Sequence, residues 1–234
     1  SIVAFIFLAV AGNEKRAAAG LTRQNWKSAV FIVLLFVGIY IVRTVVSMAG
    51  QGVSDGSGMQ YVKEWAAMFK NPMMWLNIAA LPINYFFVFI AFFGEEYGWR
   101  YYLQPVLQKR FGLRAGVIIL GVVWGLWHIP DDLFYYTQTS GIQMIFAQQI
   151  TCISLGIFFA YAYMKTQNIW VPVCLHYLNN NLIPIISGTF SADVLENQTV
   201  SWKDLPVALV LNGLCFGFFL LADVFKKKEV QEEE

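Results

Sequence analysis

The chain has 234 residues, of which 58% are hydrophobic and 13% are charged, and its formal net charge is +1. Soluble domains are about 45–50% apolar and about 25% charged, so this composition excludes an ordinary soluble domain and favours a membrane protein. So small a net charge gives no reason to expect a nucleic-acid partner.

Apolar segments account for most of the chain. The first run, of about a dozen residues, is shorter than the roughly 17–25 residues that span a bilayer, and we expect it to be the end of a span. Further segments follow at about 28–50, 73–109, 113–130, 142–165, 169–188 and 205–225. The sequence therefore predicts an all-α, polytopic transmembrane helical bundle of about seven membrane segments, the first incomplete, in a single membrane domain over 1–234.

Lysine and arginine alternate with acidic residues from one connection to the next. Basic residues concentrate at 15–27, 109–114, 165 and 226–228, whereas acidic residues dominate at 131–132 and 193–204. Short basic connections face the cytoplasm, so this alternation predicts a multi-pass protein with a cytoplasmic C-terminus.

Ionisable and amide side chains lie inside three of the apolar segments, where a charge costs about 2.5–3.5 kcal/mol on insertion scales. These side chains belong to Glu95, Glu96, Arg100, His128, His176 and Asn180. At a rise of 1.5 Å per residue, Glu95 and His128 lie about 21 Å above the predicted inner boundary and His176 about 16 Å. The similar depth predicts one site buried between helices.

Helical spacing separates the roles of these residues. Glu96 and Arg100 are four residues apart, on one helix face, where they can form a structural ion pair. Glu95 is turned about 100° from that pair and is free to act as a general base in a cavity. His176 and Asn180 are also four residues apart, and together they can donate hydrogen bonds to a developing oxyanion.

Three strings carry these groups: GEEYGWRYYLQPVLQKRFG at 94–112, WGLWHIP at 124–130 and HYLNNNL at 176–182. In this order they resemble the EExxxR, aromatic-xxxH and HxxxN motifs of the CPBP family of intramembrane proteases. That family includes the type II CAAX prenyl endopeptidases and the bacterial Abi and bacteriocin-processing membrane proteases. Trp124 stands where the second motif more often has Phe. The resemblance covers about 73–188, the predicted catalytic motif region.

The resemblance implies an intramembrane endopeptidase that acts on a membrane-associated or lipidated peptide or protein. It implies that Glu95 and His128 position and activate a water, while His176 and Asn180 stabilise the oxyanion. The supporting residues are Glu96, Arg100 and Trp124. We expect an integral protein of a bacterial cell membrane, in contact with the lipid bilayer and without nucleic acid, and the sequence leaves the oligomeric state open.

Two alternatives remain at this stage. Glu95, His128 and His176 are candidate ligands for zinc or another divalent metal, but no two of them have a metal-binding spacing such as HxxxH, so a metal-free glutamate mechanism is preferred. The non-enzymatic alternatives are a bacteriocin immunity protein, a membrane scaffold and a carrier with a proton relay. Asn180 separates these from a hydrolase, because only hydrolysis requires an oxyanion amide one turn from a histidine.

Overall fold

The computed structural model describes residues 13–21, 23–55, 57–188 and 196–226. Within these ranges every regular element is helical. The α-helices are α1 (Asn13–Ala18), α2 (Trp26–Asp55), α3 (Gly58–Met68), α4 (Pro72–Glu96), α5 (Gln104–Phe111), α6 (Leu113–Trp127), α7 (Ile129–Phe134), α8 (Gly141–Thr166), α9 (Trp170–Ser187) and α10 (Asp204–Cys215). A π-helix covers Tyr97–Leu103, and two 3₁₀ helices cover Gly217–Leu221 and Asp223–Phe225. The predicted all-α membrane fold is confirmed.

Helices long and apolar enough to cross a membrane make this an integral membrane protein. The described residues contain four such stretches, Trp26–Gly50, Pro72–Phe111, Leu113–Phe134 and Gly141–Thr166. The segments predicted at 169–188 and 205–225 are also helical, but α9 includes a histidine and three asparagines and α10 has only 12 residues. The partial span predicted at the N-terminus lies outside the described residues, as do Lys227 and Lys228. The count of seven spans and the orientation stay predictions.

The described helices fall into two compact units. One unit comprises residues 1–96 and 168–198, and the other comprises residues 97–167 and 199–234. The single membrane domain over 1–234 stays a prediction, and each unit is described by itself below.

The first unit contains α2, α3, α4 and α9. α9 packs against both α4 and α2, and α3 packs against α2. The Tyr177 hydroxyl on α9 donates a hydrogen bond of 2.7 Å to the Leu81 carbonyl on α4, and the Trp65 indole on α3 donates one of 2.7 Å to the Ile186 carbonyl on α9. The carboxamide oxygen of Asn168 accepts from the backbone N–H of Trp170 at 3.0 Å and thereby fixes the start of α9.

Close packing of α6 against α8 organises the second unit. Gly121 and Gly125 form a GxxxG pair on α6, a spacing that lets two membrane helices approach closely. A Cβ atom on Gly121 would lie 2.6 Å from the Ile153 Cα, and one on Gly125 would lie 2.6 Å from the Gln149 carboxamide. The Gln149 amide donates to the Gly121 carbonyl at 3.2 Å, so the glycines bring a polar side chain of α8 against the backbone of α6.

Candidate active site

A buried carboxylate holds the first candidate histidine in place. In the first unit, Nδ1 of His176 on α9 lies 2.9 Å from Oε1 of Glu96, the last residue of α4. His176 is 3% exposed and Glu96 is fully buried. The Phe92 ring packs edge-on against the imidazole with 5.1 Å between ring centroids. The contact engages Nδ1 of His176, and Glu96 thereby orients the imidazole ring.

Arg100 lies in the π-helix, in the second unit, and is fully buried. Its guanidinium carbon is 5.2 Å from the Trp124 ring centroid and 5.5 Å from the Phe159 ring centroid, distances typical of cation–π contacts. Trp124 thus contacts a buried cation of the predicted first motif. The ion pair of Arg100 with Glu96 stays a prediction, and the structure adds His176 as a partner of Glu96.

His128 stands between α6 and α7 in the second unit, where it ends one helix and precedes the next. Its Nδ1 lies 2.9 Å from the backbone carbonyl of Trp124. A carbonyl oxygen only accepts hydrogen bonds, so Nδ1 carries a proton, and whenever the ring is neutral Nε2 carries the lone pair. His128 is therefore held through Nδ1, and Nε2 lies at the other end of the ring.

Hydrogen bonds along α9 orient the side chain of Asn180. The Tyr40 hydroxyl on α2 donates to Oδ1 of Asn179, and Nδ2 of Asn179 donates to Oδ1 of Asn180 at 2.9 Å. The Nδ2 group of Asn180 remains as a donor, and this residue is solvent-accessible, unlike His176 one turn before it.

Glu95 precedes Glu96 in α4 and is half-buried. Its Oε2 atom is buried and has no hydrogen-bond partner among the described residues. A carboxylate oxygen without a donor can accept a hydrogen bond from a water or a substrate. Glu95 and His176 belong to one unit and His128 to the other, so the predicted assembly of all three at one site stays a prediction.

A bound metal ion requires several ligand side chains close together. Neither unit, in its described part, contains a group of three or more His, Cys, Asp or Glu side chains arranged to hold a metal ion. Glu95, His128 and His176 stay candidate ligands by residue type only.

Comparisons with known proteins address the family. Residues 75–182 match the model of a family described as Type II CAAX prenyl endopeptidase Rce1-like. The predicted resemblance is confirmed. The matched region contains every residue of the three motifs, from Glu95 to Asn180.

A curated relative agrees with this match. CAAX prenyl protease 2 of Methanococcus maripaludis is 27% identical over 125 residues, which make up 50% of this chain and 45% of the relative. The chain thus matches slightly less than half the length of that protein. No solved structure matches the chain.

Asp132 is a further candidate functional residue. The sequence predicted it in an acidic connection between two membrane segments. Asp132 is fully buried in α7, and neither carboxylate oxygen has a hydrogen-bond partner within the described ranges. Burial, and to a lesser extent the carboxylates of Asp131 and Asp132, raises the pKa of Tyr136 to about 12, so this phenol stays protonated. The sequence contains a pattern that could have identified Asp132, because Asp132 follows His128 by four residues. Glu96 and Arg100 have the same spacing.

Proposed function

We propose that the chain is an intramembrane endopeptidase that hydrolyses a peptide bond in a membrane-associated substrate. The observation that carries the proposal is the buried contact between His176 and Glu96 inside the matched region 75–182. A buried imidazole with an orienting carboxylate on one nitrogen is prepared to donate or accept a proton with the other. A packing role alone would not require a carboxyl group as its partner.

The contact with Glu96 sets the condition under which His176 stabilises an oxyanion. If Glu96 is ionised and His176 is neutral, the single ring proton lies on Nδ1 and Nε2 is an acceptor. A pair that holds one more proton has an N–H at Nε2, whether as imidazolium with carboxylate or as imidazole with carboxylic acid. Only the pair with the additional proton can donate a hydrogen bond from Nε2 to an oxyanion. Glu96 therefore serves as a positioning residue for His176.

Activation of the water is assigned to Glu95 and His128. Glu95 offers a carboxylate oxygen without a donor, and His128 offers the lone pair of Nε2. In the proposed reaction Glu95 takes a proton from the water, and the hydroxide attacks the scissile carbonyl carbon. His176 and Asn180 hold the resulting oxyanion until the carbon–nitrogen bond breaks and the leaving amine receives the proton from Glu95.

The substrate is proposed from the matching relative. The name of that protein, CAAX prenyl protease 2, supports a prenylated peptide with a C-terminal CAAX sequence as the first substrate to test. In such a peptide the lipid on the cysteine anchors the substrate in the bilayer beside the enzyme. The broader class is a lipidated or membrane-associated peptide or protein.

The mechanism proposed here is metal-free, because no two of the candidate ligands have a metal-binding spacing such as HxxxH in the sequence. Zinc with Glu95, His128 and His176 as ligands is the alternative. Elemental analysis of the purified protein decides between them: stoichiometric zinc, with activity lost to a chelator and restored by the metal, would replace the metal-free mechanism.

The proposed activity is tested by Glu95→Gln in the purified full chain, with a fluorogenic farnesylated CAAX peptide. The amide has the size of the carboxyl group but does not accept the proton of water, so cleavage should fall to background while the melting temperature in detergent stays near that of the wild type. Glu64→Gln, an exposed change of the same kind on α3, is the matched control and should cleave normally. Turnover that persists in Glu95→Gln would remove Glu95 as the base.

A further inference from the structure

An amide-lined groove in the first unit extends from Asn180 along α4 and α9. Its volume is about 420 Å³, within the range of about 300–1,000 Å³ that ligand sites occupy. The residues that line it are Asn77, Ala80, Leu81, Asn84, Asn180, Asn181, Pro184 and Ile185. All eight are uncharged, and half of them are asparagines.

Hydrogen bonds within the protein leave both donors and acceptors of these amides available. The Tyr177 hydroxyl donates its one proton to the Leu81 carbonyl and lies 3.0 Å from the Asn84 carboxamide, so one polar atom of that carboxamide remains available beside Nδ2 of Asn180. On Asn181 the reverse holds, because Nδ2 donates to the Tyr177 carbonyl at 3.0 Å and Oδ1 remains as an acceptor.

A proline adds a main-chain acceptor to the same groove. Pro184 lies inside α9 and has no N–H, so the carbonyl of Asn180, four residues earlier, lacks its α-helical donor. The groove therefore combines an amide donor on Asn180, an amide acceptor on Asn181, a further amide group on Asn84 and one main-chain acceptor.

This pattern of groups selects one class of ligand. A charged group would find no counter-charge among the lining residues, and an apolar lipid chain would leave the amides without hydrogen-bond partners. A peptide main chain presents one N–H donor and one C=O acceptor per residue and carries no charge. It matches the mixed donors and acceptors of the groove.

We infer that the groove binds the main chain of the substrate peptide beside the scissile bond, with Asn77 and Asn84 as substrate-binding residues. Asn180 belongs to both the groove and the oxyanion site, so a peptide that lies in the groove brings a main-chain carbonyl to the reacting centre. Recognition of the main chain rather than of side chains makes the groove tolerant of different residues in the substrate. The inference rests on the proposed function.

The test compares Asn77→Ala and Asn84→Ala with Ile83→Ala in the full chain. Ile83 lies beside Asn84 on α4, is 66% exposed and is outside the groove lining. With the farnesylated CAAX peptide, each asparagine variant should raise KM about 3- to 10-fold, the effect of one lost hydrogen bond, with kcat within about twofold of the wild type. Ile83→Ala should leave both constants unchanged. Unchanged KM in both asparagine variants overturns the inference.

A second series uses peptides with one main-chain N–H methylated, away from the scissile bond. The wild type should lose affinity for at least one of these peptides, and the matching asparagine variant should lose less, because its partner is already gone. Equal losses in all proteins overturn the inference. A rise in KM that appears only in liposomes of one lipid composition and is absent in detergent also overturns it, by assigning the groove to a lipid headgroup.

Binding of the same peptide, measured by fluorescence anisotropy, separates the inference from the proposed function. If the wild type binds but does not cleave, and Asn77→Ala and Asn84→Ala bind more weakly, the groove assignment holds and the endopeptidase proposal fails. If the variants cleave and bind like the wild type, the endopeptidase proposal holds and the groove assignment fails. If the wild type neither binds nor cleaves the peptide, both fail.

Discussion

Replacement of Glu96 should separate the orientation of His176 from its protonation. Glu96→Gln keeps an oxygen that can accept the hydrogen bond from Nδ1 at the observed distance of 2.9 Å, but it removes the negative charge. Without that charge no carboxylate stabilises the imidazolium, the form of His176 in which Nδ1 donates to residue 96 while Nε2 also carries a proton. Glu96→Ala removes both the charge and the hydrogen bond. The two variants should therefore resemble each other in activity and differ in stability.

The burial of both partners sets the size of each effect. Glu96 is fully buried and His176 is 3% exposed, so loss of one partner from the pair costs about 3–5 kcal/mol. At about 2–4 °C per kcal/mol for a chain of this size, Glu96→Ala should lower the melting temperature by about 6–20 °C. Glu96→Gln exchanges a charged hydrogen bond for a neutral one and should cost about 0.5–2 kcal/mol. Both should lower kcat by about 10²–10³, the loss of one oxyanion donor.

Thermal unfolding in detergent and cleavage of the farnesylated peptide measure these effects. A double-mutant cycle of Glu96→Ala with His176→Ala should show a coupling of about 0.5–3 kcal/mol, because the two side chains are in contact. Wild-type kcat in Glu96→Gln, or strictly additive losses in the cycle, would refute the assigned role of Glu96. If a double-mutant cycle instead couples His176 to Glu95, then Glu95 is the positioning residue and Glu96 the general base.

Three further predictions concern positions outside this pair. Tyr40→Phe removes the hydroxyl at the start of the chain of hydrogen bonds to Asn180 and should lower kcat about fivefold, the effect of about 1 kcal/mol, in the cleavage assay. Asp132→Asn removes an uncompensated buried carboxylate and should raise the melting temperature by a few degrees, whereas a decrease would reveal a cationic partner. Gly121→Ala should lower the melting temperature, because the new Cβ would lie 2.6 Å from a backbone atom of α8, while Gly38→Ala, with nothing within 4 Å, should not.

Membrane class and helical structure were predictable because composition and periodicity determine them directly. The apolar runs give the helices, and a single polar residue in such a run attracts attention by its cost. His176 was selected for this reason, and its burial in α9 agrees with the selection. The family resemblance followed from three short motifs in order, and the match over 75–182 confirms it.

Contacts between distant helices were not predictable from spacing. Helical spacing relates residues within one helix, so it proposed Arg100 as the partner of Glu96 and had no means to find His176, which lies 80 residues away along the chain. The π-helix at Tyr97–Leu103 was missed because the i, i+4 argument assumes α-helical geometry throughout. The GxxxG pair at Gly121 and Gly125 was present in the sequence, but only the structure shows that it faces α8.

One arrangement recurs among the candidate residues and has a physical cause in the bilayer. His176 is held by Glu96 at Nδ1, His128 by the Trp124 carbonyl at Nδ1, and Asn180 by an amide at Oδ1. In an apolar setting a polar side chain without any hydrogen-bond partner destabilises the fold. A side chain whose polar atoms are all hydrogen-bonded within the protein has none left to contact a substrate. A side chain that is anchored through one atom can present its other polar atom to a ligand in a defined direction, and it can thereby meet both conditions. The shared arrangement supports the proposed roles of these three residues.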